Sequence, residues 1–321
     1  MRALLEATPF EDRARVSGHA ASDVIYQIDR DAEDIIVAAL EERAGAFGGV
    51  ALVAEGIGEG AEEISVYPRG MREDGAALRF IMDPIDGTRG LMYDKRAAFF
   101  LAAAAPNRGR ATRLADLEAA VMVEIPTTRL YRADTLTAAR GQGARGATRD
   151  LLRHTRHPFV PRPSAEASIQ GGFAQVSRFF HPGKELLARL EEELLETLFP
   201  KAQDGEIMTF EDQYISSGGQ LYELLMGHDR FTADLRAGLY RRLRGEGQRT
   251  GHTCHPYDVA GHLIGTAAGL VITDSQGQPL DAPLDTTSAV DWIGYANAGI
   301  RAQVEPVLLR LIRQYGLGPS P

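Results

Sequence analysis

The chain has 321 residues, 44% of them hydrophobic and 25% charged, with a formal net charge of −9. That length and balance fit one large globular domain or two closely packed ones, and the acidic surplus argues against a nucleic-acid binder, which needs a basic face. Cys254 is the sole cysteine, so no intramolecular disulfide can form and a reducing cytoplasm is the expected setting.

The first residues carry charges and no apolar signal core. Residues 31–43 read as a helix with Ile35, Ile36, Ala39 and Leu40 on one face, stopped by Gly45 and the pair Gly48-Gly49. Val50 to Ala54 reads as a buried strand that ends at Glu55, and a loop rich in Gly and Glu follows. Strands are also expected over 78–82, stopping at Asp83, over 99–101 and over 119–123. The apolar run 97–105 is too short to span a bilayer as a helix and reads as a strand buried on both faces. A soluble protein without a membrane partner is expected. Basic runs such as Arg241-Arg242-Leu243-Arg244 read as a solvated face.

Residues 154–168 hold three prolines and read as an exposed connection. Beyond them, 183–199 is an amphipathic helix ended by Pro200, and Ser216-Ser217-Gly218-Gly219 opens another that runs through Met226. Residues 259–268 read as an apolar helix, 269–273 as a strand, and 304–315 as a last amphipathic helix with Gly316 beyond it. Strands and helices mix without strict alternation. The expected class is α+β, built of layers, and not a doubly wound parallel sheet.

The chemistry concentrates in Asp83-Pro84-Ile85-Asp86-Gly87-Thr88. Asp83 stands where an apolar strand stops, and Asp86 follows three residues later. Pro84 fixes φ, Gly87 permits close approach or an unusual φ, and Thr88 offers a hydroxyl. Two carboxylates held this close do not easily both stay ionised without a cation. Such hard oxygen ligands suit Mg²⁺, which completes its shell with waters and a phosphate oxygen. The same residue types also make an ordinary surface turn, so this segment alone leaves both readings open. Asp29, Glu55 and Asp258 sit at ends of expected strands or helices, from which they could converge on one site.

Residues 80–88, with Asp83-Pro84-Ile85-Asp86-Gly87-Thr88 at their centre, resemble the signature of the inositol monophosphatase family, whose relatives include the fructose-1,6-bisphosphatases. Three further pieces fall in the family's order: the segment from Ser22 to Asp29, the pair Ala54-Glu55, and Pro256-Tyr257-Asp258-Val259-Ala260-Gly261. The resemblance spans residues 15–315. It implies an αβαβα sandwich of two mixed sheets and helix pairs, with residues 1–150 carrying the metal and phosphate site and 151–321 completing it with Asp258. It implies a Mg²⁺-dependent phosphate monoester hydrolase, using two or three ions, that acts on a small phosphate ester as a homodimer. Glu55, Asp83 and the Ile85 carbonyl would hold one ion, and Asp83, Asp86 and Asp258 the second. Asp29 and Thr88 would act on the attacking water, with Glu55 as a further catalytic acid, while the N–H groups of Gly87 and Thr88 hold phosphate oxygens. Asp86, Ser217, Asp234 and Arg236 are expected to touch the substrate. Cys254 is expected to be a buried small residue.

The chain departs from the family pattern in several places. Gly56 replaces a frequent second Glu, Tyr257 replaces a Trp, and Arg89-Gly90 replaces a frequent Thr-Asn. Asp234-Leu235-Arg236 falls where inositol-type members carry a substrate-binding Glu, and a segment over 237–253 of open role follows it. The Asp-x-Arg spacing also resembles members that accept fructose 1,6-bisphosphate, so Arg236 could pair with a second phosphate. Lys95 and Arg96 read as solvated. Two substrate readings stay open, an inositol or similar polyol phosphate and a sugar or nucleotide bisphosphate. A catalytically silent interaction protein is disfavoured because every expected carboxylate is present.

Overall fold

The structure, a computed structural model, describes residues 8, 16–19, 24–57 and 64–319, with the backbone course alone over 16–19 and 24–31. Strands β1 (Val16–His19) and β2 (Val24–Tyr26) pair antiparallel and lead into helix α1 (Gln27–Arg43). The inward face of α1 is rotated from the sequence expectation. Ala32 is buried and Ile36, Val37 and Leu40 pack against Leu52 and Met82, whereas Ile35 is 64% exposed and Ala39 also faces out. A short 3₁₀ turn follows, and Gly48, at φ 78°, ends it in the left-handed conformation.

Eight strands form the large sheet: β3 (Val50–Ala54), β4 (Ile64–Tyr67), β5 (Leu78–Asp86), β6 (Ala98–Pro106), β7 (Ala119–Ile125), β8 (Arg132–Ala139), β9 (Ala144–Asp150) and β10 (Thr155–Phe159). Their order is β10-β9-β8-β7-β6-β5-β3-β4, and only the β3–β5 pair is parallel. Part of the expected connection over 154–168 is therefore a strand. It lies at the sheet edge, the place in a sheet where a proline such as Pro158 is tolerated. Residues along the central strands alternate between two cores. Leu52, Met82 and Ala102 face α1, while Val53, Ile81, Leu101 and Ala103 face the interior of the molecule.

The second sheet, ordered β11-β12-β14-β13, comprises β11 (Phe173–Val176), β12 (Asp229–Asp234), β13 (Val271–Thr273) and β14 (Trp292–Tyr295), with β11 and β12 parallel. Helices α4 (Ser217–Leu225) and α6 (His262–Ala268) lie between the sheets, where Leu221, Leu224 and Ile264 join Leu101 and Met122 on one side and Ile272 and Trp292 on the other. Helices α3 (Lys184–Leu198) and α7 (Ala298–Gln314) close the far face. Leu187, Leu190 and Leu194 meet Val304, Leu308 and Leu311 there. The result is the expected five layers, helix, sheet, helices, sheet, helices. Helix α7 starts six residues before the expected position, because Asn297 caps it by accepting from the N–H of Gly299 at 2.8 Å and of Ile300 at 3.0 Å.

The segment of open role is largely helix α5 (Arg236–Gly245), which buries Leu239, Tyr240 and Leu243 in the core of the second sheet. No helix among the described residues is long and apolar enough to cross a membrane.

Candidate metal centre

Strand β5 does not stop at Asp83; it runs on to Asp86 with a break in register. Asp83 faces Leu101 of β6 and Asp86 faces Phe99, so β5 spends three steps where β6 spends two. In a regular strand residues three apart point to opposite faces. The extra residue is a bulge, and it turns both carboxylates toward one cavity. Gly87, at φ 96°, then swings the chain into the short helix α2 (Thr88–Met92). A Cβ on Gly87 would lie 3.1 Å from the Cβ of Ser216, so both its φ and its surroundings call for glycine. The loop is braced from within: the Ile85 N–H donates to Asp83 Oδ1 at 2.9 Å, and the Thr88 hydroxyl donates to the Ile85 carbonyl at 2.7 Å.

The remaining ligand candidates come from elsewhere in the chain. Asp86 Oδ2 accepts from the Ser216 hydroxyl at 2.8 Å and from the Gly218 N–H. Ser216 is the N-cap of α4 and also accepts from the Gly219 N–H at 2.7 Å, so one hydroxyl fixes the helix start and the carboxylate together. Asp258 sits in the turn Tyr257–Val259 just before α6, and its Oδ2 accepts from the His255 N–H at 2.6 Å. Asp83, Asp86 and Asp258 are buried, and one ligand oxygen from each lies within 4.8 Å of the others.

Crowding shows in their acidities. Burial first, then the charges of Asp86, Asp258 and Glu55, push the Asp83 carboxyl well above its ordinary value. Burial and Asp258 raise Asp86 to about 7 against the pull of its two donors. Burial alone would raise Asp258 too, but the hydrogen bond and charge of His255, with His252 behind it, hold it below its ordinary value. The donor set is all oxygen, and the Ile85 carbonyl keeps a second lone pair beyond the one that Thr88 uses. Such a set fits a hard divalent cation such as Mg²⁺. Burial, with Asp258 second, raises the Cys254 thiol well above its ordinary value, and the residue is fully enclosed, as a small buried residue.

The cavity above these acids is also lined by Glu55, Gly87, Thr88, Ser217 and Arg236, so the structure brings these sequence candidates together. Asp29 falls in the first turn of α1, and its side chain lies outside the described residues. Asp234 is fully buried and does not reach the cavity wall. Its carboxylate is taken up by Arg236, whose Nε lies 2.9 and 3.0 Å from the two oxygens and whose Nη2 is 2.5 Å from Oδ2. Nη1 of Arg236 donates to the His252 carbonyl at 3.3 Å, and the guanidinium lies 4.7 Å from the ring centre of Phe179. Lys95 is exposed and Arg96 pairs with Asp212 over the Tyr214 ring, both away from the cavity.

Several lining residues escaped the sequence reading: Glu33, Phe179, Phe180, Ile215 and His252. Glu33 had a usable signal, since it lies one helical turn after Asp29. The aromatic pair and Ile215 carry no chemistry that a sequence would flag.

No family model matches the chain, and no curated protein sequence matches it. Solved structures do. The extragenic suppressor protein suhB from Bartonella henselae superposes with a TM-score of 0.61 at 20% identity, covering 93% of this chain and 90% of that one. Fructose-1,6-bisphosphatase from Leishmania major gives 0.66 at 14% identity, covering 98% and 88%. The IMPase of Thermotoga maritima gives 0.57 at 17% identity, covering 98% and 94%. At these identities the likeness establishes the fold, which is the one implied by the sequence resemblance.

Proposed function

We propose that this chain, folded like the inositol monophosphatases and fructose-1,6-bisphosphatases, is a Mg²⁺-dependent phosphate monoester hydrolase. The observation that carries the reading is the convergence of Asp83, Asp86 and Asp258 in one buried cavity beside the Gly87 turn. Asp83, Asp86 and Asp258, with Glu55 and the Ile85 carbonyl, would hold two or three ions. Bound Mg²⁺ would neutralise the carboxylates and stabilise charge on the phosphoryl oxygens.

The chain's own groups do the positioning. The N–H groups of Gly87 and Thr88 leave a left-handed turn, a geometry that receives anionic oxygens. The Thr88 hydroxyl spends its one proton on the Ile85 carbonyl, so toward a water it acts as an acceptor and orients that water's lone pair. Asp29 is the proposed partner in that step. Attack by water forms one P–O bond while the bond to the alcohol breaks, and the alcohol leaves with a proton. Ser216 and Gly218 keep Asp86 from rotating as the cavity fills and empties.

For the substrate we favour an inositol, sugar or similar polyol phosphate, with Ser217 and Asp86 beside its hydroxyls. A bisphosphate is the second reading, supported by Arg89, Arg236 and His252 in the lining of the same cavity. Asp234 enters only through Arg236. A cytoplasmic homodimer belongs to the same proposal, in keeping with a single, buried cysteine. The test is phosphate release from a panel of inositol phosphates, fructose 1,6-bisphosphate and 3′-phosphonucleotides. Asp86→Asn and Asp258→Asn should each lower the best activity at least about a hundredfold with the fold intact, the scale of a lost charged ligand. Full activity in both variants would remove the acid cluster from the chemistry.

A further inference from the structure

The face of the large sheet that packs on α1 extends beyond that helix. Val121 of β7 still belongs to the α1 core, and the cross-strand register carries its face on through Thr137 of β8 to Arg145 of β9. Two further pairs, Ala147 opposite Pro158 and Arg149 opposite Arg156, bring it to the edge strand β10. On β8, β9 and β10 the charged side chains at positions of this face are all arginines: Arg145, Arg149 and Arg156. They are exposed, and none pairs with an acid among the described residues. Asp150, the acid next to Arg149, falls on the other face, where its Oδ1 accepts from the N–H groups of Leu152 at 3.0 Å and Arg153 at 2.9 Å. Arg149 and Arg156 stand directly opposite each other, and like charges so placed destabilise a sheet. Arg145 and Arg156 also line one concavity with the hydroxyl residues Thr135 and Thr137, and Ala147 and Pro158 add apolar surface. Neither hydroxyl has a side-chain partner among the described residues. The concavity thus offers two guanidinium forks and two hydroxyls, and no carboxylate lines it. That donor set matches the charge and the several acceptor oxygens of a phosphate group.

We propose that this concavity is a second anion site, which binds inorganic phosphate or the phosphate group of a small ester between Arg145 and Arg156. Thr135 and Thr137 donate their hydroxyls to it, and Arg149 adds positive charge beside it. A bound anion also offsets the repulsion between Arg149 and Arg156. The site shares no residue with the metal centre, so it stands or falls apart from the metal-dependent reading.

The test is calorimetric titration of the whole protein, stripped of metal and dialysed free of chelator, with inorganic phosphate and with glycerol 3-phosphate at constant ionic strength. Without metal, the acids of the other cavity repel phosphate, so the titration reports the arginine site. Arg145→Gln and Arg156→Gln should each weaken binding about tenfold or more, as expected when a charge-assisted pair is lost. Arg156→Lys keeps the charge without the fork and should fall in between. Equal affinity for the two probes would identify phosphate itself as the ligand, and tighter binding of the ester a phosphorylated small molecule. The urea midpoint provides a second readout, because phosphate should raise it in the wild type and leave it unmoved in Arg145→Gln/Arg156→Gln. Without phosphate, Arg156→Gln should unfold at a urea concentration no lower than the wild type does, since it removes a like-charge pair. A wild type that binds neither probe would overturn the site. So would a double variant that binds as tightly as the wild type, or an effect that sodium chloride reproduces at the same ionic strength.

Discussion

Arg236 keeps its charge inside the protein because Asp234 meets its fork from one side and Phe179 covers a face. Burial alone would weaken that charge, but the Asp234 carboxylate more than offsets it and holds the guanidinium protonated. The pair therefore acts as one structural unit, with the two residues 4% and 0% exposed. Replacing one partner strands the other. Arg236→Met should cost about 3–5 kcal/mol in urea denaturation, while the double variant Asp234→Asn/Arg236→Met should cost clearly less than the sum of the singles. Additive losses would show that the two do not depend on each other. Arg236→Glu is a poor probe of substrate preference for the same reason, since it sets a second buried carboxylate against Asp234. The sequence shows the Asp-x-Arg spacing. It does not show that β12 ends and α5 begins between the two residues, which bends the arginine back onto its neighbour.

Elements were legible where apolar spacing was dense. Helices α3 and α4 and strand β3 match their sequence patterns closely, since each has a run of leucines or valines with a clear stop. Strands β8 and β9 escaped notice because alanine, glycine, arginine and threonine fill them, residues whose burial comes from neighbouring strands and not from their own pattern. Strand β5 was read short because Pro84 and two aspartates look like a turn, and they do form a bulge, but one that the sheet carries within it. Helix α6 is a short buried element, and its first residue, His262, makes a pH prediction. Burial pushes His262 down to about 4, against the pull of its hydrogen bond to the Val259 carbonyl at 3.2 Å. The folded protein thus binds this proton less readily than the unfolded chain, where histidine titrates near its ordinary value of about 6.5. Its contribution is present above that value and is lost as pH falls toward 4. His262→Asn, which keeps a donor for Val259 and does not titrate, should remove about 3 kcal/mol of that acid sensitivity. The check is the difference between the two proteins' denaturation curves at pH 7 and pH 4.5. Equal losses in both would clear His262 of the effect.

At the scale of the whole molecule, the five layers bring the two ends of the sequence argument to one place. Asp83 and Asp86 come from the large sheet, and Asp258 comes from the turn before α6 in the layer between the sheets. That convergence could not be read from spacing, because it depends on how α4 and α6 seat between the sheets. The motif order made it an expectation, and the packing of Leu221, Ile264, Leu101 and Met122 makes it a geometry. The fold leaves a cluster of acids in which burial, and then mutual repulsion, raises Asp83 and Asp86, and in the proposed metal-dependent reading a bound cation would relieve both. The most direct test is to strip the protein with EDTA, add Mg²⁺ back in steps, and follow phosphate release from p-nitrophenyl phosphate and the unfolding temperature on the same samples. Both should rise along one binding curve, with the rate climbing at least about a hundredfold. Full hydrolysis in EDTA, or an unfolding temperature that ignores Mg²⁺, would contradict a metal-dependent centre at Asp83, Asp86 and Asp258.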